Sequence, residues 1–277
     1  MATARLETTA TPLLTHRVVG EGAPVLLLNG GLMSMAAWEP VAAPLERHSR
    51  VVRCDLRGQL LSPGEPPADL AGHVADLVAL LDALGLDAVH VAGTSFGAAV
   101  GLLLAARCPE RVISLAAVAA MDRITDETWA ATRPVLEAAR AAARGADGGR
   151  VFELLEPGTF SPRYAAANVG ALAARRAKIA LLPRSWFEGL AGLLTSLEGL
   201  DLRPELGRIR CPALIVAAEH DLSFPLERSE SLAAAIPGAQ LAVVPDSGHA
   251  LVVEAPERLT ALLTEFLARV GQKGASS

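Results

Sequence analysis

The stretch Val89-His90-Val91-Ala92-Gly93-Thr94-Ser95-Phe96-Gly97-Ala98-Ala99 decides how this chain is read, because it joins a β-type run to a helical run through the pattern G-x-S-x-G. A sharp turn from strand to helix forces the corner residue into a sparsely populated backbone conformation. Glycines on both sides relieve the crowding because they carry no Cβ. A serine held at such a corner presents its hydroxyl beyond the strand end, which makes Ser95 the candidate nucleophile. The flanks agree: Leu86 to Ala92 is short, apolar and rich in β-formers. Phe96 to Ala106 contains no Pro and many Ala and Leu, and it ends at Cys108-Pro109 as a helix should.

Upstream, Val25-Leu26-Leu27-Leu28 is apolar without alternation, the mark of an interior strand in a parallel sheet covered on both faces. It runs into Asn29-Gly30-Gly31-Leu32-Met33-Ser34 and a helical pattern around Trp38, Val41 and Leu45. A strand at Val51–Cys54, a polar loop from Asp55 to Pro67 and a helix from Leu70 to Leu84, stopped by Gly85, complete the approach. Residues 5 to 20 suggest two edge strands meeting near Ala10-Thr11-Pro12. Downstream, Val112 to Ala120 is another apolar strand, and then the rhythm breaks. From Asp122 to about Gly199 the chain offers Ala-rich helical stretches, punctuated by Pro134, Gly145 to Gly149, Pro157-Gly158, Pro162 and Pro183. Alternation resumes with a strand at Cys211–Ala218, a helix from Pro225 to Ile236 and a strand at Ala239–Val244. A last helix from Pro256 to about Val270 follows, with Gly271 to Ser277 as a frayed tail. The order predicts an α/β fold: a mostly parallel, doubly wound sheet built from residues 1–121 and 200–277, with an inserted all-helical cap at 122–199.

Composition narrows the function. A net charge of -5 on 277 residues, with no cluster of Lys and Arg beyond Arg175-Arg176-Ala177-Lys178, gives no footprint for nucleic acid or an anionic membrane. No window reaches the ~18 apolar residues that cross a bilayer, and the N-terminus lacks the unbroken apolar core of a signal peptide. Cys54, Cys108 and Cys211 are odd in number and far apart, so they read as reduced, half-buried thiols and point to a cytoplasmic protein without a disulfide framework or metal site. The cap holds ten basic and nine acidic residues, and six of the ten aromatics (Trp129, Phe152, Phe160, Tyr164, Trp186, Phe187). These either hold its helices together or line an apolar pocket over Ser95, for which Leu32, Trp129, Trp186 and Phe187 are the candidates. Trp186 and Phe187 are helix neighbours pointing about 100° apart, so at most one of them faces a ligand.

A serine hydroxyl needs a base in reach, and that base needs a group to fix its tautomer. His249 lies in Pro245-Asp246-Ser247-Gly248-His249, a loop at a C-terminal strand end, where parallel sheets place their sites. His16 and His48 flank early edge elements, His73 sits at a helix start and His90 lies within a strand. Asp221 directly follows the strand ending at Ala218 and is the candidate acid, with Glu219 and Asp122 as competitors. The oxyanion formed on attack needs N–H donors. One comes from Phe96, at the start of a helix; the second comes from the loop after Leu28, with Gly31 the leading candidate and Leu32 the alternative.

Taken together, these residues resemble the α/β-hydrolase-fold superfamily over nearly the whole chain. The features are G-T-S-F-G, Asn29-Gly30-Gly31 where relatives often carry His-Gly, and Asp55-Leu56-Arg57-Gly58-Gln59-Leu60-Leu61-Ser62, similar to a D-x-R-G-x-G-x-S turn. Glu219-His220-Asp221 and Gly248-His249, followed by Glu254-Ala255-Pro256-Glu257, complete them. Asn29 and Leu60 depart from that pattern. The chain is most similar to the carboxylesterase, enol-lactone hydrolase and cofactor-free perhydrolase group. That resemblance implies a Ser95–His249–Asp221 hydrolase acting on a small, mainly apolar ester or lactone through an acyl-enzyme, with no metal or organic cofactor. Ser95 excludes the chemistry of relatives that place Asp there. Some relatives with intact triads chiefly sense small molecules, and others transfer the acyl group to another acceptor or release it from a thioester; both are rival implications.

Overall fold

Leu26, Leu27 and Leu28 are all fully buried, although neighbours on a strand point to opposite faces of a sheet. Both faces must therefore be covered, and the computed structural model, which describes residues 14–62 and 64–274, shows how. The strands are β1 (His16–Val19), β2 (Ala23–Leu28), β3 (Ser49–Cys54), β4 (Val89–Thr94), β5 (Val112–Val118), β6 (Ala213–Ala218) and β7 (Gln240–Val244). They form one sheet in the order β1-β3-β2-β4-β5-β6-β7. Only β1 runs antiparallel to its neighbour, β3. Of the two edge strands expected in residues 5–20, β1 is the second; the first falls on residues 1–13, outside the described residues.

Before the insertion come α1 (Glu39–Leu45), α2 (Leu70–Ala83) and α3 (Phe96–Arg107). Between β5 and β6 lie α4 (Asp126–Ala143), α5 (Gly149–Thr159), α6 (Pro162–Ala167), α7 (Val169–Ala180), α8 (Arg184–Thr195) and the short α9 (Arg203–Leu206). The chain closes with α10 (Leu226–Ala235), α11 (Leu251–Glu254) and α12 (Pro256–Gly274). Alternate strand residues feed two separate cores. Leu26, Leu28, Leu115 and Ile215 pack with α2, α3 and α10. Val25, Leu27, Leu214 and Val216 pack with α1 and with Leu259, Leu263 and Phe266 of α12. The chain is thus an α/β protein with the doubly wound, mostly parallel sheet its sequence pattern predicts.

The helical insertion leaves and rejoins the sheet side at one point. Arg123 and Asp201 form an antiparallel bridge. Ile124 N–H donates to the Leu200 carbonyl and Leu202 N–H to the Asp122 carbonyl, both at 2.8 Å. The insertion has its own core, in which Val135, Leu136 and Ala139 of α4 meet Phe187, Leu190 and Leu194 of α8.

Two expectations need correction. Cys54 is fully buried in β3, not half-buried, while Cys108 and Cys211 are partly buried; all three are free thiols. The segment expected to fray from Gly271 continues α12 to Gly274. The apolar run Ala239–Val244 is an exposed sheet edge in large part, with Leu241 and Val243 open to solvent. Among the described residues no helix is long and apolar enough to cross a membrane.

His73 of α2 is fully buried, both of its ring nitrogens lack a partner, and its ring meets Phe96 edge-on at 5.3 Å between centroids. Burial, reinforced by the nearby Arg57 charge, pushes its pKa down from 6.5 to about 4. Below pH 6.5 the unfolded chain takes up a proton that the folded chain refuses, so stability falls as pH drops from 6.5 to about 4 and levels off below. The loss attributable to this group is about 3 kcal/mol at 1.36 kcal/mol per pH unit. Chemical denaturation of the protein and of His73→Phe between pH 7 and pH 4 checks this. The variant is expected to show the shallower decline; parallel curves contradict the assignment.

Candidate active site

The corner between β4 and α3 is as tight as the glycine spacing predicts. Ser95 adopts φ 53°, ψ -115°, a region that side chains with a Cβ rarely occupy. A Cβ at Gly97 would stand 2.5 Å from the Leu28 carbonyl oxygen, and one at Gly93 would stand 2.4 Å from that of Gly97. Only glycine allows this approach, which seats the first turn of α3 on the end of β2. Ser95 N–H donates to the Val118 carbonyl at 2.9 Å, tying the corner to β5. The Ser95 side chain is left partly exposed at the C-terminal end of the sheet.

The loops after β6 and β7 bring Asp221 and His249 to that serine. His249 Nε2 lies 2.9 Å from Ser95 Oγ, and its Nδ1 lies 2.8 Å from Asp221 Oδ2. A carboxylate only accepts, so Nδ1 carries the proton and Nε2 is free to accept from the serine hydroxyl. Asp221 is buried, and its other oxygen, Oδ1, accepts from Ser223 N–H at 2.9 Å and Phe224 N–H at 2.8 Å. These two donors hold the carboxylate in place. The two loops are also laced to each other, with Glu219 N–H donating to Val244 O and His220 N–H to Ser247 O. Phe224 adds a ring edge-on to His249 at 5.0 Å. Sequence reasoning missed Phe224 and Ser223, although their place just after the acid was a usable signal.

The competitors are engaged elsewhere. Asp122 pairs with Arg123 and Arg228, and Glu219 is exposed and accepts from Asp246 N–H at 2.9 Å. His90 is buried in β4 against Ser114 Oγ, and burial lowers its pKa. His16 is buried in β1, while His48 lies between α1 and β3. Burial also holds the thiols in their protonated form, with Cys54 pushed strongly up and Cys211 to about 11, so neither offers a thiolate near neutral pH. Among the described residues, one exposed group (Glu219, His220, Asp246) brings possible metal-ligand atoms within 4.8 Å of one another. Arg163 and the Asp246 N–H already engage its two carboxylates.

Phe96 opens α3, so its N–H lies in the unpaired first turn beside Ser95. The second expected donor lies on the turn Gly30–Met33, closed by Met33 N–H donating to Gly30 O at 3.1 Å. Gly30 packs beside Ser95: a Cβ there would stand 3.7 Å from Ser95 Cβ, whereas one on Gly31 would meet nothing within 4 Å. Leu32, next in this turn, is partly buried against the insertion's core, as is Trp129. Trp186 and Phe187 both lie inside that core, 5.0 Å apart and edge-on. Phe187 lies over Gly148, where a Cβ would stand 2.2 Å from its ring.

This sheet order, with a serine at the corner after a central strand and its partners on the loops after β6 and β7, defines an α/β hydrolase. The family model for the alpha/beta hydrolase fold matches residues 23–256, and the chain belongs to that family. It is similar to the Shigella flexneri protein named carbamate hydrolase RutD, at 34% identity over 89% of this chain and 92% of the relative. Among solved structures it is similar to the enol-lactonase of Burkholderia xenovorans LB400, with TM-score 0.81 and 28% identity over 92% of this chain and 96% of that one. It is also similar to a thermophilic esterase of Thermogutta terrifontis, with TM-score 0.82 and 28% identity over 97% and 99%.

Because the backbone strain at Ser95 comes from its Cβ, Ser95→Gly is expected to be more stable than Ser95→Ala by about 1 kcal/mol. Urea titrations of the two variants measure the difference. A Gly variant no more stable than the Ala variant contradicts a strained corner.

Proposed function

We propose that this α/β hydrolase cleaves a small, mainly apolar carboxylic ester or lactone through an acyl-enzyme on Ser95. The observation that carries the reading is the pair of hydrogen bonds in which His249 Nδ1–H donates to Asp221 Oδ2 and Ser95 Oγ–H donates to His249 Nε2, at 2.8 and 2.9 Å. In this cycle Ser95 Oγ attacks the carbonyl carbon while its proton passes to His249 Nε2. Asp221 stabilises the imidazolium that forms. The tetrahedral oxyanion is held by the N–H groups of Phe96 and Gly31. Collapse breaks the bond to the leaving oxygen, which takes the proton from His249; in a lactone that oxygen stays tethered to the acyl chain. Water then attacks the acyl carbon, gives one proton to His249, and frees the acid as that proton returns to Ser95. His249 serves each proton transfer, so the cycle needs no metal or organic cofactor.

Residues 122–199 act in this reading as a cap over the site. Support comes from Leu32, which sits in the turn beside Ser95 and packs against the core containing Trp186 and Phe187. The wall presented to the acyl group is accordingly apolar, and each methylene it buries strengthens binding by up to ~0.8 kcal/mol until the space is full.

A fluorophosphonate probe is expected to label Ser95 alone, and Ser95→Ala to lose about 10⁴ to 10⁶ in kcat. Repeated turnover of p-nitrophenyl acetate and butyrate, with carbamates included because of the RutD relative, separates an enzyme from a receptor. A receptor on this fold gives at most one slow turnover. Label on another residue, or full activity in Ser95→Ala, contradicts the assignment.

For the cap, Trp186→Ala is expected to raise KM several-fold for longer apolar esters and to leave acetate esters little changed. Both rings lie inside the insertion's core, so Trp186→Ala and Phe187→Ala are each expected to cost stability, about 3 kcal/mol or more for a buried aromatic, and Phe187→Ala to leave the chain-length profile unchanged. Kinetics over an acyl-length series and thermal unfolding of both variants check this. An unaltered chain-length profile in both variants, or better turnover of charged acyl groups, contradicts the apolar wall.

A further inference from the structure

Gln59 is almost completely buried, at 2% exposure, and its amide is engaged at both ends. Its Oε1 accepts from Leu56 N–H at 2.8 Å and from Asn29 Nδ2 at 3.0 Å, while its Nε2 donates to the Gly30 carbonyl at 2.9 Å. Asn29 Nδ2 also faces the Cys54 carbonyl and Asp55 Oδ1. Asp55 in turn accepts from Met35 N–H and Leu61 N–H. Asn29 Oδ1 is buried without a partner. Rotating that amide would bring its oxygen against three acceptors, so the observed orientation is the one the network requires.

This network acts on a single peptide unit. The Gly30–Gly31 peptide is planar and trans, so its carbonyl and its N–H point in opposite directions. The carbonyl is held from one side by Gln59 Nε2 and Met33 N–H. The N–H, on Gly31, therefore points away from the network. A Cβ on Gly30 would stand 3.2 Å from Met33 Sδ, 3.6 Å from Thr94 O and 3.7 Å from Ser95 Cβ, whereas one on Gly31 would meet nothing within 4 Å. Two successive glycines give this peptide unusual freedom to rotate, so without a restraint on the carbonyl the N–H would have no fixed direction.

We infer that Gln59 is a positioning residue: by holding the Gly30 carbonyl it aims the Gly31 N–H at the oxyanion that forms when Ser95 attacks. The inference rests on the acyl-enzyme reading above and adds the group that orients its second donor. A side chain that both accepts and donates is needed. Glu at this position would set a second acceptor against the Gly30 oxygen, and Met would offer no donor at all.

Gln59→Met preserves length and burial and removes the donor. Its kcat for p-nitrophenyl butyrate is expected to fall by about ten- to a hundred-fold, somewhat less than the loss of a whole oxyanion donor, with KM within about two-fold of the parent. Butylboronic acid, whose tetrahedral adduct on Ser95 places an oxygen where the oxyanion forms, is expected to bind more weakly by a similar factor. Gln59→Glu is expected to behave alike. A wild-type measurement covers the case in which neither variant folds: the Gly31 amide proton is expected to move downfield when butylboronic acid binds. Unchanged kcat and boronate affinity in a folded Gln59→Met, a loss confined to KM, or an unmoved Gly31 resonance overturns the inference. Failure of the hydrolase reading is distinguishable, because then the wild type lacks turnover or Ser95→Ala retains it, and the role of Gln59 falls with it.

Discussion

The first turn of α3 rests directly on the end of β2, with the missing side chain of Gly97 leaving room for the Leu28 and Asn29 carbonyls. That contact fixes where the helix begins. It thereby fixes Ser95 in a conformation that the chain adopts only because its neighbours over-determine it. It also brings the loop after β2 beside the serine, so Ser95 and the turn Gly30–Met33 are set by one packing event. The surrounding strands β2, β4, β5 and β6 are buried almost throughout, so the corner is braced by a covered sheet.

Around this corner the remaining parts are braced mainly by hydrogen bonds between loops. The C-terminal end of α5 and the residues leading into α6 reach the loops that carry Asp221 and His249. Gly158 O accepts from Ser223 Oγ at 2.9 Å, two residues past Asp221, and Thr159 O accepts from Ala250 N–H at 3.0 Å, directly after His249. Glu254 links the same segment to the histidine loop by accepting from Ser161 Oγ and from Gly248 N–H. Gly248 is required there, since a Cβ would stand 2.4 Å from Ser161 N. The helical insertion is therefore joined to the loops that carry Asp221 and His249, and a change in its packing is felt at both.

Much of this was legible in the sequence because it depends on local pattern. The uninterrupted apolar run of β2 announced a strand covered on both sides, G-x-S-x-G announced the corner, and strand ends followed by Asp221 and His249 announced where side chains converge. What was not legible depends on contacts between distant residues. Asn29 lies 26 positions from Asp55 and 30 from Gln59 along the chain, and local pattern does not signal that they share a network. Trp186 and Phe187 read equally well as pocket or core, since aromatic content does not reveal direction; Gly148, against which Phe187 packs, was visible only as a loop glycine. The exposure of β7 is likewise set by its place in the sheet: at the edge, Leu241 and Val243 stay open to solvent, which the composition of the run does not reveal.

A covalent acyl group on Ser95 that forms and is lost at the steady-state rate distinguishes catalysis through an acyl-enzyme from a binding role on this fold and from attack by another group. Rapid mixing with p-nitrophenyl butyrate, acid quenching within the first turnover and peptide mass spectrometry detect it directly. The account predicts one butyryl group on the peptide containing Ser95, formed as fast as the first equivalent of nitrophenol and lost at the steady-state rate. Nitrophenol release with no acyl group on that peptide, or with the acyl group on another residue, would contradict it.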